Sequence, residues 1–296
     1  MKLAVIDLGS NSARLGIYTY DNELKEIYRK RENTRLAEGL ETDSMLKDEP
    51  MKRTLQALVE FSEIINEQKA DRVIAISTES LRRAKNSDFF TSLVKEKTGI
   101  ELHIIDGQTE ALYGSFAARS VMDCDNFYFL DTGGGSFELG YVEKGTLKNF
   151  VCLPYGCVVL TEKFRPDDKG VTKLQNFLSD ELKKLEWLNK PYPLAVLGGS
   201  VKEIARCCFD FSKDFEIDGK SLSTERVFEI FNEIYNTKVC ERAEKFGMEP
   251  KRADIITAGL CPTLTVLKIT GAEKIVFCTK SVRDGAAEAF FNGKSI

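Results

Sequence analysis

Histidine is almost missing from this chain of 296 residues: one, His103, stands among 46 acidic and 42 basic side chains. A single imidazole cannot supply a histidine-rich zinc site, and it closes off a serine–histidine–aspartate triad unless His103 itself carries it. The segment Glu101-Leu-His-Ile-Ile105 reads as a strand, so the expectation for His103 is a packed side chain. Eight cysteines, at 124, 152, 157, 207, 208, 240, 261 and 278, form no C-x-x-C pair. That spacing predicts reduced, mostly buried thiols in a cytoplasmic protein. No stretch approaches the roughly 20 apolar residues that span a bilayer. The strand-like Lys2-Leu-Ala-Val-Ile6 leaves no room for a cleaved leader, and no membrane role is expected. A net charge of −4 argues against a nucleic-acid coat, though a local basic cleft can still hold a polyanion. Chemistry is left to carboxylates, arginines, backbone amides and a metal.

What the chain does contain is one turn pattern, twice. Leu3-Ala-Val-Ile6 runs into Asp7-Leu-Gly9-Ser10-Asn11-Ser12-Ala-Arg14-Leu15-Gly16. Phe127-Tyr-Phe-Leu130 runs into Asp131-Thr-Gly133-Gly134-Gly135-Ser136-Phe-Glu138-Leu139-Gly140. At an offset of 124 residues, five of the ten positions are identical. Small residues let backbone N–H groups turn toward an oxyanion, and an aspartate closing an apolar strand offers a hard oxygen to a divalent cation. The repetition implies a duplicated domain pair gripping a phosphate polyanion from both sides.

The surrounding pattern alternates strands and helices, which predicts an α/β fold with helix-covered sheets. Strands are expected at 2–6, 14–20, 26–29, 73–76 and 102–105, with helices over 48–68, 88–97 and 109–119. After Met122-Asp-Cys-Asp-Asn126 the order restarts with strands at 127–131, 137–142, 147–152 and 194–197. Helices are expected over 172–187 and 225–246, with a polar stretch at 210–224 between them. The resulting domains are 1–121, joined by a terminal helix in 284–296, and 122–283.

Asp7 and Asp131 are the leading metal-ligand candidates, since a carboxylate at a strand end costs stability unless paired or metal-bound. Glu138 lies seven residues past Asp131 and faces either the same side or solvent, depending on the pleat. Ser10, Asn11 and Ser12, and Gly133, Gly134, Gly135 and Ser136, offer amides and hydroxyls to non-bridging phosphate oxygens. Ser77-Thr78-Glu79-Ser80-Leu81-Arg82 follows a buried strand; Arg82 reads either as a bidentate phosphate fork or as part of an exposed basic pair. Glu110, one turn into a helix opened by Gly107, reads either as a capping residue or as a base orienting water.

Together and in this order, these segments resemble the exopolyphosphatase/guanosine pentaphosphate phosphohydrolase family. The likeness is carried by Asp7–Arg14, Thr78-Glu-Ser-Leu-Arg82-Arg-Ala84, Gly107-Gln-Thr-Glu110-Ala111, Asp131–Leu139, Gly156-Cys-Val-Val-Leu-Thr161-Glu162 and Gly198-Gly-Ser-Val201. It implies two related ribonuclease H-like (actin-like ATPase) domains with a cleft between them, holding Mg²⁺, with a monovalent cation as accessory, and a phosphate chain. By position, Glu110 takes the base role, and Asp7, Asp131 and Glu138 match acidic positions near the metal and the attacking water. Arg82 and the two turns match phosphate-binding positions, and Arg35 matches an arginine near the cleft mouth. Departures are Gln108 and Thr109 in place of acidic residues, Val159 in place of an arginine, and Phe137 in place of threonine. The C-terminal helical domains of longer members have no counterpart in these 296 residues, which implies a preference for shorter polymers. The implied activity is release of terminal phosphate from inorganic polyphosphate or guanosine pentaphosphate, with dimerisation by family analogy. A sugar-kinase-like enzyme with adenosine over Gly198-Gly199-Ser200, or a non-catalytic alarmone sensor, are the rivals.

Overall fold

The run Leu3–Ile6 is buried on both faces, and it makes β1 (Lys2–Leu8) the centre of a five-stranded sheet ordered β3-β2-β1-β4-β5. β2 (Ala13–Asp21) returns antiparallel beside β1, and β3 (Glu23–Glu32) extends the meander to the edge. β4 (Arg72–Ser77) and β5 (Leu102–Ile104) join parallel on the other side, each reached through a helix as a parallel crossover requires. The structure is a computed structural model and describes residues 1–209 and 214–293. The start of the expected polar stretch at 210–224 and the last residues of the expected terminal segment lie outside these. Among the described residues no helix is long and apolar enough to cross a membrane.

Packing divides the chain into two units, Met1–Phe116 with Val282–Ile296, and Ala117–Ser281. In the first unit, Ala4, Ile6, Leu8, Leu15 and Ile17 pack against Leu58, Phe61 and Ile65 of the helix Asp48–Glu67. The opposite face, with Leu3, Val5, Tyr18 and Ile76, meets Ala286, Ala287 and Ala289 of the helix Val282–Phe291. At the head of that helix Arg283 is 4% exposed. Its Nε donates to Tyr18 Oη at 2.7 Å, Nη1 to the Leu15 carbonyl at 3.3 Å and Nη2 to Glu26 Oε1 at 2.7 Å. Tyr18 in turn donates to Asp284 Oδ1 at 2.8 Å. Gly16 makes the space, since a Cβ there would lie 2.7 Å from Tyr18 and 2.8 Å from Arg283 Nε. Removing the guanidinium takes away the cation beside buried Asp284 and one of the two arginines on Glu26, which keeps Arg29 at 2.6 Å. Arg283→Met is therefore expected to destabilise the fold by about 3–5 kcal/mol. Urea unfolding measures this, and an unchanged midpoint would refute it.

The second unit repeats the plan. β6 (Phe127–Thr132), β7 (Phe137–Glu143), β8 (Thr146–Leu153), β9 (Leu194–Gly198) and β11 (Lys274–Phe277) take the places of β1 to β5, and β10 (Ser221–Ser223) is added at the edge. Its core is built around the helix Ile256–Thr270, buried along most of its length.

Three expectations are corrected. The helix over 225–246 is two helices, Thr224–Tyr235 and Val239–Phe246. The break is held by buried Arg242, whose Nε donates to the Ile234 and Thr237 carbonyls at 3.0 Å each while its two Nη groups grip Asp167 at 3.1 and 2.7 Å. The helix expected over 172–187 ends at Leu182. His103 is exposed rather than packed, because β5 is a three-residue edge strand whose middle residue turns outward. All eight cysteines are free; Cys157, Cys261 and Cys278 are buried and Cys240 is exposed.

Candidate functional site

In the first unit the register places Leu8 beside Ser77 and Ser77 beside Ile104. The loops after β1, β4 and β5 therefore leave from one edge of the sheet, the strand-end position where α/β sheets hold ligands. The Ser77 hydroxyl donates to the Leu8 carbonyl at 2.9 Å and ties two strand ends together. Gly9 N–H donates to the Ser12 carbonyl at 3.1 Å. The carbonyls of Ser10 and Asn11 accept from Ala37 and Arg35 N–H at 3.1 and 3.0 Å. Arg35 reaches this bond from the left-handed region, at φ 49°, and its side chain is exposed. With their carbonyls so engaged, Ser10, Asn11 and Ser12 keep amides that have no protein acceptor among the described residues.

Arg82 and Glu110 come together. Nη1 and Nη2 of Arg82 each donate to Glu110 Oε2 at 2.9 Å, and Nη1 also donates to the Ile105 carbonyl at 2.6 Å. Glu110 is 8% exposed, so this carboxylate is the buried, anchored member of a part-buried pair. Asp7 lies directly across from Arg14, and Arg14 across from Arg31, an arrangement that puts facing side chains on one side of the sheet. Burial pushes the Asp7 carboxyl up from its ordinary value; Arg14 and then Arg283 pull it down, and Asp284 pushes it up.

The second unit repeats the first turn bond: Gly133 N–H donates to the Ser136 carbonyl at 3.0 Å. Here the carbonyls of Gly135, Gly133 and Gly134 accept from the amides of Gly156, Cys157 and Val158 at 2.9, 2.9 and 3.0 Å. These donors open the helix Cys157–Phe164. The amides of Gly134, Gly135 and Ser136 again have no protein acceptor among the described residues, a ready oxyanion cradle. Only glycine fits at 156, where a Cβ would stand 2.3 Å from the Gly134 carbonyl group.

Across the sheet, Asp131 faces Glu138 and Glu138 faces Cys152. The pleat therefore puts the two carboxylates on one face. Glu138 Oε1 accepts from Ser136 Oγ at 2.8 Å and from Cys152 Sγ at 3.1 Å. The Ser136 hydroxyl, expected on phosphate, thus supports Glu138 while its amide serves the cradle. Gly198, at φ 91°, lets the β9 turn pass close to Asp131, whose Oδ1 would be 2.9 Å from a Cβ there. The Arg252 guanidinium lies over Gly199, and its Nε is 3.7 Å from Glu203 Oε1. Burial pushes the Glu203 carboxyl up, opposed by the Glu249 amide and then by Arg206 and Arg252.

Among the described residues no group of three or more histidine, cysteine or acidic side chains is assembled for a metal. Asp131 and Glu138 nevertheless fit Mg²⁺ by chemistry: two hard-oxygen donors on one face suit an ion that keeps several waters. Asp7 belongs to the other unit. Sequence reasoning missed Arg14, which lies seven residues after Asp7 just as Glu138 follows Asp131, so the repeat itself carried the signal. It missed Cys152 and Arg252 too, whose relevance comes only from strand register and from packing on a distant glycine.

These features define a duplicated α/β protein with a phosphate-type backbone cradle at the first turn of each half, the two-unit actin-like ATPase fold. The chain belongs to the Ppx/GppA phosphatase family, a family of phosphohydrolases, whose model matches residues 17–288. A solved family member from Aquifex aeolicus superposes with a TM-score of 0.91 at 28% identity, covering 100% of this chain and 99% of that one. A bifunctional 3-dehydroquinate synthase/phosphatase of Fusobacterium nucleatum is 28% identical over 92% of this chain, which spans 44% of that protein's length. A putative exopolyphosphatase of Haemophilus influenzae is 25% identical, over 96% of this chain and 90% of that protein.

Proposed function

We propose that the chain is an exopolyphosphatase, hydrolysing the terminal phosphoanhydride of inorganic polyphosphate. The observation that carries this reading is the part-buried Arg82–Glu110 pair, on the helices that follow β4 and β5 at the same sheet edge as the Ser10–Ser12 amides. A base and a cation in contact at an oxyanion cradle are the parts that water attack on phosphorus needs.

In this mechanism the amides of Ser10–Ser12 hold non-bridging oxygens of the chain end, and those of Gly134–Ser136 form a second cradle of the same kind in the other unit. Arg82 retains N–H groups beyond its three hydrogen bonds and directs them at the terminal phosphoryl group. Glu110 orients a water in line and takes its proton as the bond to phosphorus forms; the bridging oxygen leaves on the shortened chain. Asp131 and Glu138 would hold Mg²⁺, which would supply counter-charge to phosphoryl oxygens. Catalysis then rests on placement and charge, as a loose phosphoryl-transfer transition state requires.

Guanosine pentaphosphate presents the same terminal anhydride and is the second substrate of this reading. A sugar-kinase reading fares worse: a purine laid on Gly198–Gly199 would have to displace the Arg252 guanidinium. A non-catalytic sensor would have no use for a base already paired with a phosphate-binding arginine. The test is phosphate release across polyphosphate lengths, guanosine pentaphosphate and ATP, with and without Mg²⁺. Mg²⁺-dependent release of free phosphate from polyphosphate is expected. Binding without turnover of any of these, or turnover only with a carbohydrate acceptor, would overturn the proposal.

A further inference from the structure

We infer that Cys152 is a positioning residue: with Ser136 it holds Glu138 in one orientation on the Asp131 face of the second sheet, through donors that leave its charge intact. This rests on the phosphohydrolase reading above, in which Glu138 and Asp131 serve the cation. The argument begins with register. Asp131, Glu138 and Cys152 stand directly opposite one another on three adjacent antiparallel strands, so their side chains share one face at neighbouring positions.

Two carboxylates side by side repel, and Glu138 is 8% exposed, so water does little to screen them. Glu138 Oε1 accepts from the Ser136 hydroxyl at 2.8 Å and from the Cys152 thiol at 3.1 Å. Ser136 approaches from the turn and Cys152 from the neighbouring strand, so the carboxylate is fixed from two directions. Both donors are uncharged. The matching row of the first unit shows the alternative: there Asp7 is followed by Arg14 and Arg31, and the carboxylate faces a cation. A lysine or arginine at 152 would hold Glu138 as firmly but would cancel the charge a metal needs. A thiol fixes the position and keeps the charge.

The experiment compares wild type, Cys152→Ala and Cys152→Ser in Mg²⁺-dependent phosphate release from polyphosphate, with thermal unfolding of each. Loss of one hydrogen bond to a charged group predicts a fall in kcat of about tenfold for Cys152→Ala, with KM within about twofold of wild type. Cys152→Ser, which restores an uncharged donor on a shorter arm, is expected to return kcat to within about threefold. A structural role would lower the unfolding temperature of both variants without this split. Wild-type kcat in Cys152→Ala, equal losses in both variants, or a loss confined to KM would each overturn the inference. A wild-type chain inert toward polyphosphate and guanosine pentaphosphate would instead sink the phosphohydrolase reading, and this inference with it.

Discussion

Glu110→Gln is expected to lower kcat on polyphosphate by about 10²–10⁴-fold, the range a positioned general base supplies, while KM stays within about threefold. The amide keeps the size of the carboxylate, and its carbonyl oxygen can still accept from Arg82, which now donates to Oε2 twice at 2.9 Å. The pocket should remain assembled and polyphosphate should still bind. What is lost is a group able to take the proton of the attacking water. Steady-state kinetics with circular dichroism of the folded variant separate the two effects. Turnover near the wild-type level would remove Glu110 from the base role; a large rise in KM would instead make it a binding residue acting through Arg82.

The second large effect is expected from one methyl group. In Gly156→Ala the new Cβ would lie 2.3 Å from the carbonyl carbon and oxygen of Gly134 and 2.4 Å from the nitrogen of Gly135. Those are backbone atoms, with no flexible end to swing aside, so the 133–136 turn must move as a body. Moving it disturbs three amide–carbonyl bonds at once, those from Gly156, Cys157 and Val158. A displacement on the order of 1 Å at a substrate-holding turn is expected to cost about 10²-fold in kcat/KM, and the strain about 1–3 kcal/mol of stability. Kinetics on polyphosphate and urea unfolding check the two numbers separately. Activity and midpoint both within error of wild type would mean that the turn is not held where the helix start places it.

The duplicated turn was readable because it repeats an identity pattern at a fixed offset, and strand-to-turn transitions leave a sharp local signature. The seven-residue spacing from Asp131 to Glu138 fits a hairpin pair, but only the register at Asp131–Glu138 shows that they share a face. The helix Ile256–Thr270 was not legible: it is buried almost all round, so it lacks the one-sided periodicity that marks a surface helix, and it contains Gly259 and Pro262. The gap at Asn236–Lys238 escaped for a different reason, since it is enforced by Arg242 bonding back to Ile234 and Thr237. Hydroxyl assignments were the least readable part. Ser77 and Ser136 carry the right chemistry for phosphate, yet their hydroxyls bond Leu8 and Glu138. Sequence names a donor; only packing says which acceptor stands within reach.

The two cross-strand rows, Asp7–Arg14–Arg31 and Asp131–Glu138–Cys152, occupy equivalent places in equivalent sheets yet carry opposite net charge. An assembly of two identical copies could not do this, because every change in one copy would appear in the other. Fusion of the halves into a single polypeptide frees them to diverge, so that one row sets cations beside its carboxylate and the other a second carboxylate. One fold, used twice, thereby carries two rows of opposite sign on the same strands.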